Sequence, residues 1–185
     1  MKKSLGKGFI TPQPVLIIGT YDKDGNPNAM NAAWGGQVGS SQIAVSLSNH
    51  KTTDNIRLNR EFTVAFATVE QIAACDFVGL VSGNKEPDKL AKCGFTVTKS
   101  DKINAPVIDQ LPVSIECKVF DLQEEFGETR VVAEIVGVKA DEDVLTEGKV
   151  DLGKLHVVIY DTNGKCYRAV GDSVGGAWNA GKQFI

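Results

Sequence analysis

Two stretches carry the side chains best suited to chemistry. In the first, Ser46-Leu-Ser-Asn-His-Lys-Thr-Thr-Asp-Asn-Ile56, an alternating run of Ile43, Val45 and Leu47 gives way to His50, Lys51, Thr52 and Thr53. Alternation with period 2 marks a half-buried strand, and Ile56 and Leu58 behind Asp54 resume as a short helix with Thr52 or Thr53 as its N-cap. A helix N-terminus offers unpaired N–H groups and a partial positive charge, so lysine and hydroxyls placed there suit a phosphate; an ordinary capped helix with a solvated lysine has the same composition. The second stretch is Asn28-Ala-Met-Asn-Ala-Ala33, ending at Trp34-Gly35-Gly36. A plain core strand favours Val or Ile. Small residues let a flat ligand, or a neighbouring element, approach the backbone closely.

Other chemistries find little support. Gly176-Ala-Trp-Asn-Ala-Gly-Lys182 fits the first seven positions of a P-loop, but Gln183 stands where Ser or Thr should bind magnesium and too few residues follow for a helix. No Gly-x-Gly-x-x-Gly follows a strand, and there is no Gly-x-Ser-x-Gly elbow or His-Glu-x-x-His. Cys75, Cys93, Cys117 and Cys166 are widely spaced and read as free thiols, and with His50 and His156 as the only histidines no metal site is expected. Nothing supplies a nucleophile with its own base. Any redox or transfer chemistry therefore belongs to a bound cofactor.

The elements that must position these residues are mostly strands. Val15 to Tyr21 is a continuous apolar run, short enough for a strand buried on both faces, and Asp24-Gly25 is a hairpin signal leading into the strand at Asn28. Glu61 to Ala67 alternates again. Thr68-Val-Glu-Gln71 fits a capping box for a helix from Val69 to about Gly79, and Pro87 to Lys92 makes a second short helix stopped by Gly94. Val113 to Val119 and Thr129 to Val138 pair around a turn at Gly127. Leu155 to Tyr160 and Cys166 to Val170 pair around Asn163-Gly164. Hairpin-length links exclude a parallel sheet, and a barrel removes the edges that this chain does little to protect.

The 185 residues form one domain over residues 1–185, large enough to bury a core without staples. A net charge of −3 without a basic block gives no electrostatic case for nucleic acid. No run of about 18 apolar residues could span a bilayer. The basic N-terminus runs into Gly6, Gly8, Thr11, Pro12 and Pro14 where a signal peptide needs an apolar block, so a cytoplasmic protein is expected.

Taken in order, the motifs resemble the flavin reductase-like family of FMN-binding split barrels, and within it the flavoredoxin type. The resemblance rests on Asn28-Ala-Met-Asn-Ala-Ala-Trp34, His50-Lys-Thr-Thr-Asp-Asn-Ile56, Phe62-Thr-Val-Ala-Phe66, Gly79-Leu-Val-Ser-Gly83 and the segment Tyr167 to Trp178. It implies a mainly β fold, an antiparallel split β-barrel of six strands with short helices at its ends, homodimeric, holding FMN non-covalently near the subunit interface. On that resemblance Asn28, Met30, Asn31, Ala32 and Ala33 line the isoalloxazine, with Trp34 beside it. Ser46, Ser48, Lys51, Thr52 and Thr53 hold the ribityl-phosphate. Ser82 and Gly83 close the site from the middle loop, and Trp178 covers it from the C-terminal segment. The implied function is an oxidoreductase passing electrons from NAD(P)H or a redox-protein donor through FMN to a flavin or protein acceptor. The alternatives are an electron carrier without NAD(P)H turnover and a flavin-free binding or assembly barrel.

Overall fold

A computed structural model describes residues 1–8 and 10–185. After the two-residue strand β1 (Gln13–Pro14), the chain lays down β2 (Leu16–Tyr21), β3 (Pro27–Ala32), β4 (Gly35–Gln37) and β5 (Gln42–Leu47). Helix α1 (Lys51–Asn59) then leads to β6 (Glu61–Phe66), followed by α2 (Ile72–Leu80) and α3 (Lys89–Lys92). A small hairpin, β7 (Val97–Lys99) and β8 (Pro106–Ile108), precedes two 13-residue strands, β9 (Val113–Glu125) and β10 (Glu128–Ala140). The tail of the fold holds β11 (Leu145–Thr146), β12 (Lys149–Val150), α4 (Leu152–Leu155), β13 (Val158–Asp161) and β14 (Cys166–Ala169). Among the described residues, no helix is long and apolar enough to cross a membrane.

Seven strands form one antiparallel sheet in the order β3-β2-β6-β9-β10-β5-β4. Its two edge strands, β3 and β4, are consecutive in the chain and joined only by Ala33 and Trp34. The sheet must therefore curl until its edges come within reach of that short link, while no β3–β4 ladder forms among the described residues. This is a split barrel. It carries one strand more than the resemblance implies, the extra one being a three-residue edge piece.

The curl divides the apolar residues into two layers. Leu16, Ile18, Val45, Phe62, Val64 and Val131 fill the barrel interior. Ile17, Ala29, Ala65, Cys75, Val78 and Val158 form a second core where α2, α3 and β13 cover the outer face. A strand covered on both faces cannot alternate, which explains the continuous apolar run through β2. Cys75 and Cys117 are fully buried free thiols, and burial pushes both up to about 12.

Turn chemistry sets the registers. Glu128 pairs with Glu125, so Phe126 and Gly127 alone make the β9–β10 turn, both at positive φ (53° and 83°), the geometry of a two-residue hairpin. The β9 strand thus runs to Glu125, beyond the expected end at Val119. The proposed capping box at Thr68 does not form. Thr68 bridges Val157 instead, and α2 begins at Ile72 with Gln71 as N-cap. Val69 N–H donates to the His156 carbonyl, so the chain stays near β13 past Thr68 and the helix starts too late for Thr68 to cap it.

Candidate functional site

Helix α1 starts two or three residues earlier than its sequence suggests. His50 is the N-cap, in extended conformation, and Lys51, Thr52 and Thr53 are the first three helical residues. Asp54 N–H donates to the His50 carbonyl, so the N–H groups of residues 51–53 have no place in the helical ladder. The helix is fixed against the barrel by three side chains. Asn55 Nδ2 donates to Thr20 Oγ1 (3.0 Å), Asn59 Nδ2 to the Tyr21 carbonyl (2.6 Å), and Thr53 Oγ1 to the Ser48 carbonyl (2.7 Å).

The N-terminus of α1 opens on a cleft of about 270 Å³ that also contains Asn28, Met30, Asn31, Ser82 and Gly83. Asn28 is buried, and its Nδ2 donates to Thr52 Oγ1 at 2.7 Å. Its Oδ1 has no partner. A buried acceptor left unpaired costs about 1–3 kcal/mol, so it marks a place where a ligand donor belongs. The loop after α2 lies directly on β3. A Cβ at Gly79 would collide with the Asn31 amide, and one at Gly83 with Asn28 Oδ1, so a side chain at either place would have to displace an asparagine.

Two charged residues that the sequence did not single out bear on this cleft, Lys89 as a lining residue and Asp22 through its pairing with Lys51. Lys89, only 2% exposed, lines it from α3, and its ammonium donates to the carbonyls of Val78 (2.8 Å) and Val81 (3.0 Å) at the end of α2. Burial, with a smaller contribution from nearby Lys51, brings its pKa down to about 8. Asp22, from the β2–β3 turn, sits 3.0 Å from Lys51 Nζ. Burial alone would raise its carboxyl; the Lys51 ammonium and the N–H groups of Asn26 and Asp24 outweigh that and bring it down to about 2.

A second cleft of about 440 Å³ shares Asn31, Gly79 and Leu80 with the first. Ala32 and Ala33 line it on one side, Tyr160, Cys166 and Tyr167 from the β13–β14 hairpin on the other. Tyr160 and Tyr167 have ring centroids 6.1 Å apart, and the Tyr167 hydroxyl donates to Asp76 at 2.5 Å. Burial first, and then the Asp76 carboxylate, hold the Tyr167 phenol above its ordinary range.

Of the residues expected at a flavin site, the structure brings Asn28, Met30, Asn31, Lys51, Thr52, Ser82 and Gly83 to the first cleft and Ala32, Ala33 and Asn31 to the second. Five others lie apart. Trp34 and Ser46 line a shallow trough with Arg130, because Ser46 alternates with the inward-facing Val45 and Leu47. Ser48 lines neither cleft and its hydroxyl donates to Glu128 at 3.2 Å; the Thr53 hydroxyl is engaged with Ser48. Trp178 is 96% exposed and lines neither cleft, so within one chain it does not cover the site. A lysine in a short polar helix and an aspartate in a turn look like solvated surface. Only glycines packed on asparagines, at Gly79 and Gly83, could have pointed toward the α2–α3 wall.

The order of these parts along the chain matches a family model described as the flavin reductase-like domain over residues 8–166. The protein belongs to the flavin reductase-like family. Among solved structures it is similar to a flavoredoxin of Desulfovibrio vulgaris (Miyazaki F), at 36% identity and a TM-score of 0.93 over 98% of this chain and 100% of that one. It is also similar to a flavoredoxin from Methanosarcina acetivorans, at 29% identity and a TM-score of 0.91 over 100% of this chain and 99% of that one. A protein of Archaeoglobus fulgidus is 31% identical over 140 residues, 74% of this chain and 76% of its own length. An FMN-binding domain of a flavin reductases-like enzyme from Shewanella baltica, 22% identical with a TM-score of 0.79 over 89% of each chain, shares the fold.

Proposed function

We propose that this member of the family is an FMN-dependent electron-transfer protein whose two clefts hold the two ends of one flavin. The observation that carries the proposal is the unpartnered Asn28 Oδ1 beside the open N-terminus of α1. A ribityl hydroxyl donating to that oxygen would satisfy it, and the N–H groups of residues 51–53 with Lys51, Thr52 and Ser82 would take the phosphate. Ala32, Ala33 and Gly79 leave room for a flat ring in the adjoining cleft. The residues present fit the cofactor.

Bound FMN supplies the one- and two-electron chemistry. The chain's own part is to orient it and set its surroundings. Lys89 would lie near the phosphate end, and the Tyr167–Asp76 bond would hold a hydroxyl at the ring end. No group here is positioned as a catalytic base. Apo protein titrated with FMN should quench flavin fluorescence and develop the flavin absorption bands; a colourless protein unaltered by FMN would overturn the proposal and favour a flavin-free barrel.

The likeness to two flavoredoxins favours an electron carrier as a second reading. Anaerobic NAD(P)H separates the two: bleaching of the flavin band supports a reductase using NAD(P)H, and none supports a carrier reduced by another protein. We further infer a homodimer. Residues 171–185 are exposed throughout, including Val174, Trp178 and Phe184, and the hydrogen bonds of the helical turn there stay within the segment. An apolar arm without a place on its own chain suits a partner copy. A monomer by light scattering would remove both the dimer and any part for Trp178.

A further inference from the structure

The lysine best placed to meet a phosphate already has an anionic partner. Lys51 Nζ is 3.0 Å from Asp22 Oδ2, with the two side chains only 18% and 13% exposed. The carboxylate is held by its own turn: Oδ1 accepts from the N–H of Asp24 (3.0 Å) and of Asn26 (2.9 Å), and Oδ2 from Asn26 Nδ2 (3.3 Å). Asp22 is therefore the fixed member of the pair. Lys51 is the adjustable one, its stem reaching over Gly83, where a Cβ would meet its Cδ at 3.1 Å. The two charges cancel beside the α1 N-terminus. The other lysine of the cleft, Lys89, has two of its three donors engaged with main-chain carbonyls.

We propose that Asp22 sets the selectivity of this cleft for phosphorylated over unphosphorylated flavin, by competing with the phosphate monoester for Lys51. The proposal rests on the FMN reading above. A neutral flavin leaves the Asp22–Lys51 pair intact. A phosphate dianion must draw the ammonium away from a carboxylate that cannot follow, or share it at the cost of like-charge repulsion. The wild-type protein thus prefers FMN to riboflavin by less than its lysine and helix terminus alone would allow.

The test is a titration of flavin-free protein with FMN and with riboflavin at low salt, comparing wild type, Asp22→Asn, and Asp22→Asn with Lys51→Met. Asparagine keeps the Oδ1 acceptor of the turn, and riboflavin binding reports directly on whether the variant is folded. Asp22→Asn should tighten FMN about tenfold while riboflavin changes by less than about twofold, and Lys51→Met should abolish the gain. Weaker FMN binding in Asp22→Asn would overturn the proposal, since Asp22 would then serve to aim Lys51. An unchanged ratio of the two affinities would overturn it as well. If wild type binds neither flavin, the FMN reading falls and this proposal with it; if it binds both and only the ratio fails to move, the FMN reading stands.

Discussion

The two clefts share a wall and differ in everything else. At the α1 end, Asn28, Thr52, Ser82, Lys51 and Lys89 line a cleft at a helix terminus, with Asp22 paired to Lys51 and the buried Asn28 Oδ1 left without a partner. At the β13–β14 end, alanines face two tyrosine rings across a wider space, with one Tyr–Asp hydrogen bond at the margin. One cleft offers charged and hydrogen-bonding groups; the other offers alanines and aromatic rings. Asn31, Gly79 and Leu80 couple them. Changes at the polar end should separate FMN from riboflavin, whereas changes at the aromatic end or the shared wall should affect both alike.

The largest separation is expected from Lys51→Ala combined with Thr52→Ala. Each lost charge-assisted bond to a phosphate is worth about 1.5–3 kcal/mol, and the carboxylate of Asp22 would be left facing the ligand unpaired. FMN affinity by fluorescence titration should fall by more than about a hundredfold, with riboflavin affinity much less changed. Equal losses for both ligands would break the comparison.

Gly79→Val tests the shared wall. Its side chain would drive into the Asn31 amide, and overpacking of this kind costs about 1–3 kcal/mol. Both flavins should lose affinity together, as read by the same titration.

The next effect is one of pH. Lys89 has a folded-state pKa of about 8, so it is charged below that value and neutral above it. FMN affinity should be greatest below pH 8 and decline as pH rises through it, by no more than about tenfold per pH unit, with riboflavin affinity flat over the same window. Lys89→Met should bind FMN more weakly and lose that pH dependence. The smallest effect is expected from Tyr167→Phe, which keeps the ring and removes the bond to Asp76. A hydrogen bond to a charged group is worth about 1.5–3 kcal/mol; at this part-buried margin the loss should fall at the low end and be equal for the two flavins.

Local patterns made much of the scaffold legible in advance. The strands at Leu16–Tyr21, Gln42–Leu47 and Glu61–Phe66 announce themselves by alternation or by a short apolar run, and the turns at Gly25, Gly127 and Asn163-Gly164 by their residues. Helix starts were less legible. His50 rather than a threonine caps α1, because the Thr53 hydroxyl turns back to the Ser48 carbonyl, and Thr68 is taken up by a strand bridge. Such choices depend on which partner a hydroxyl finds, which spacing alone does not fix.

By itself, the sequence determined that small residues at Asn28–Ala33 and a basic, hydroxyl-rich helix start at Lys51 would exist, since both follow from side-chain size and from period over fewer than ten residues. Tertiary structure alone decided which of them meet. The curl of the sheet brings β3 against α1 and the α2–α3 loop, sets Asp22 against Lys51 across 29 positions and Tyr167 against Asp76 across 91, and buries Lys89 among carbonyls. The same curl turns Ser46 and Trp34 to another face. Proximity across such spans is set by the packing of two cores at once, and no short window of residues contains it.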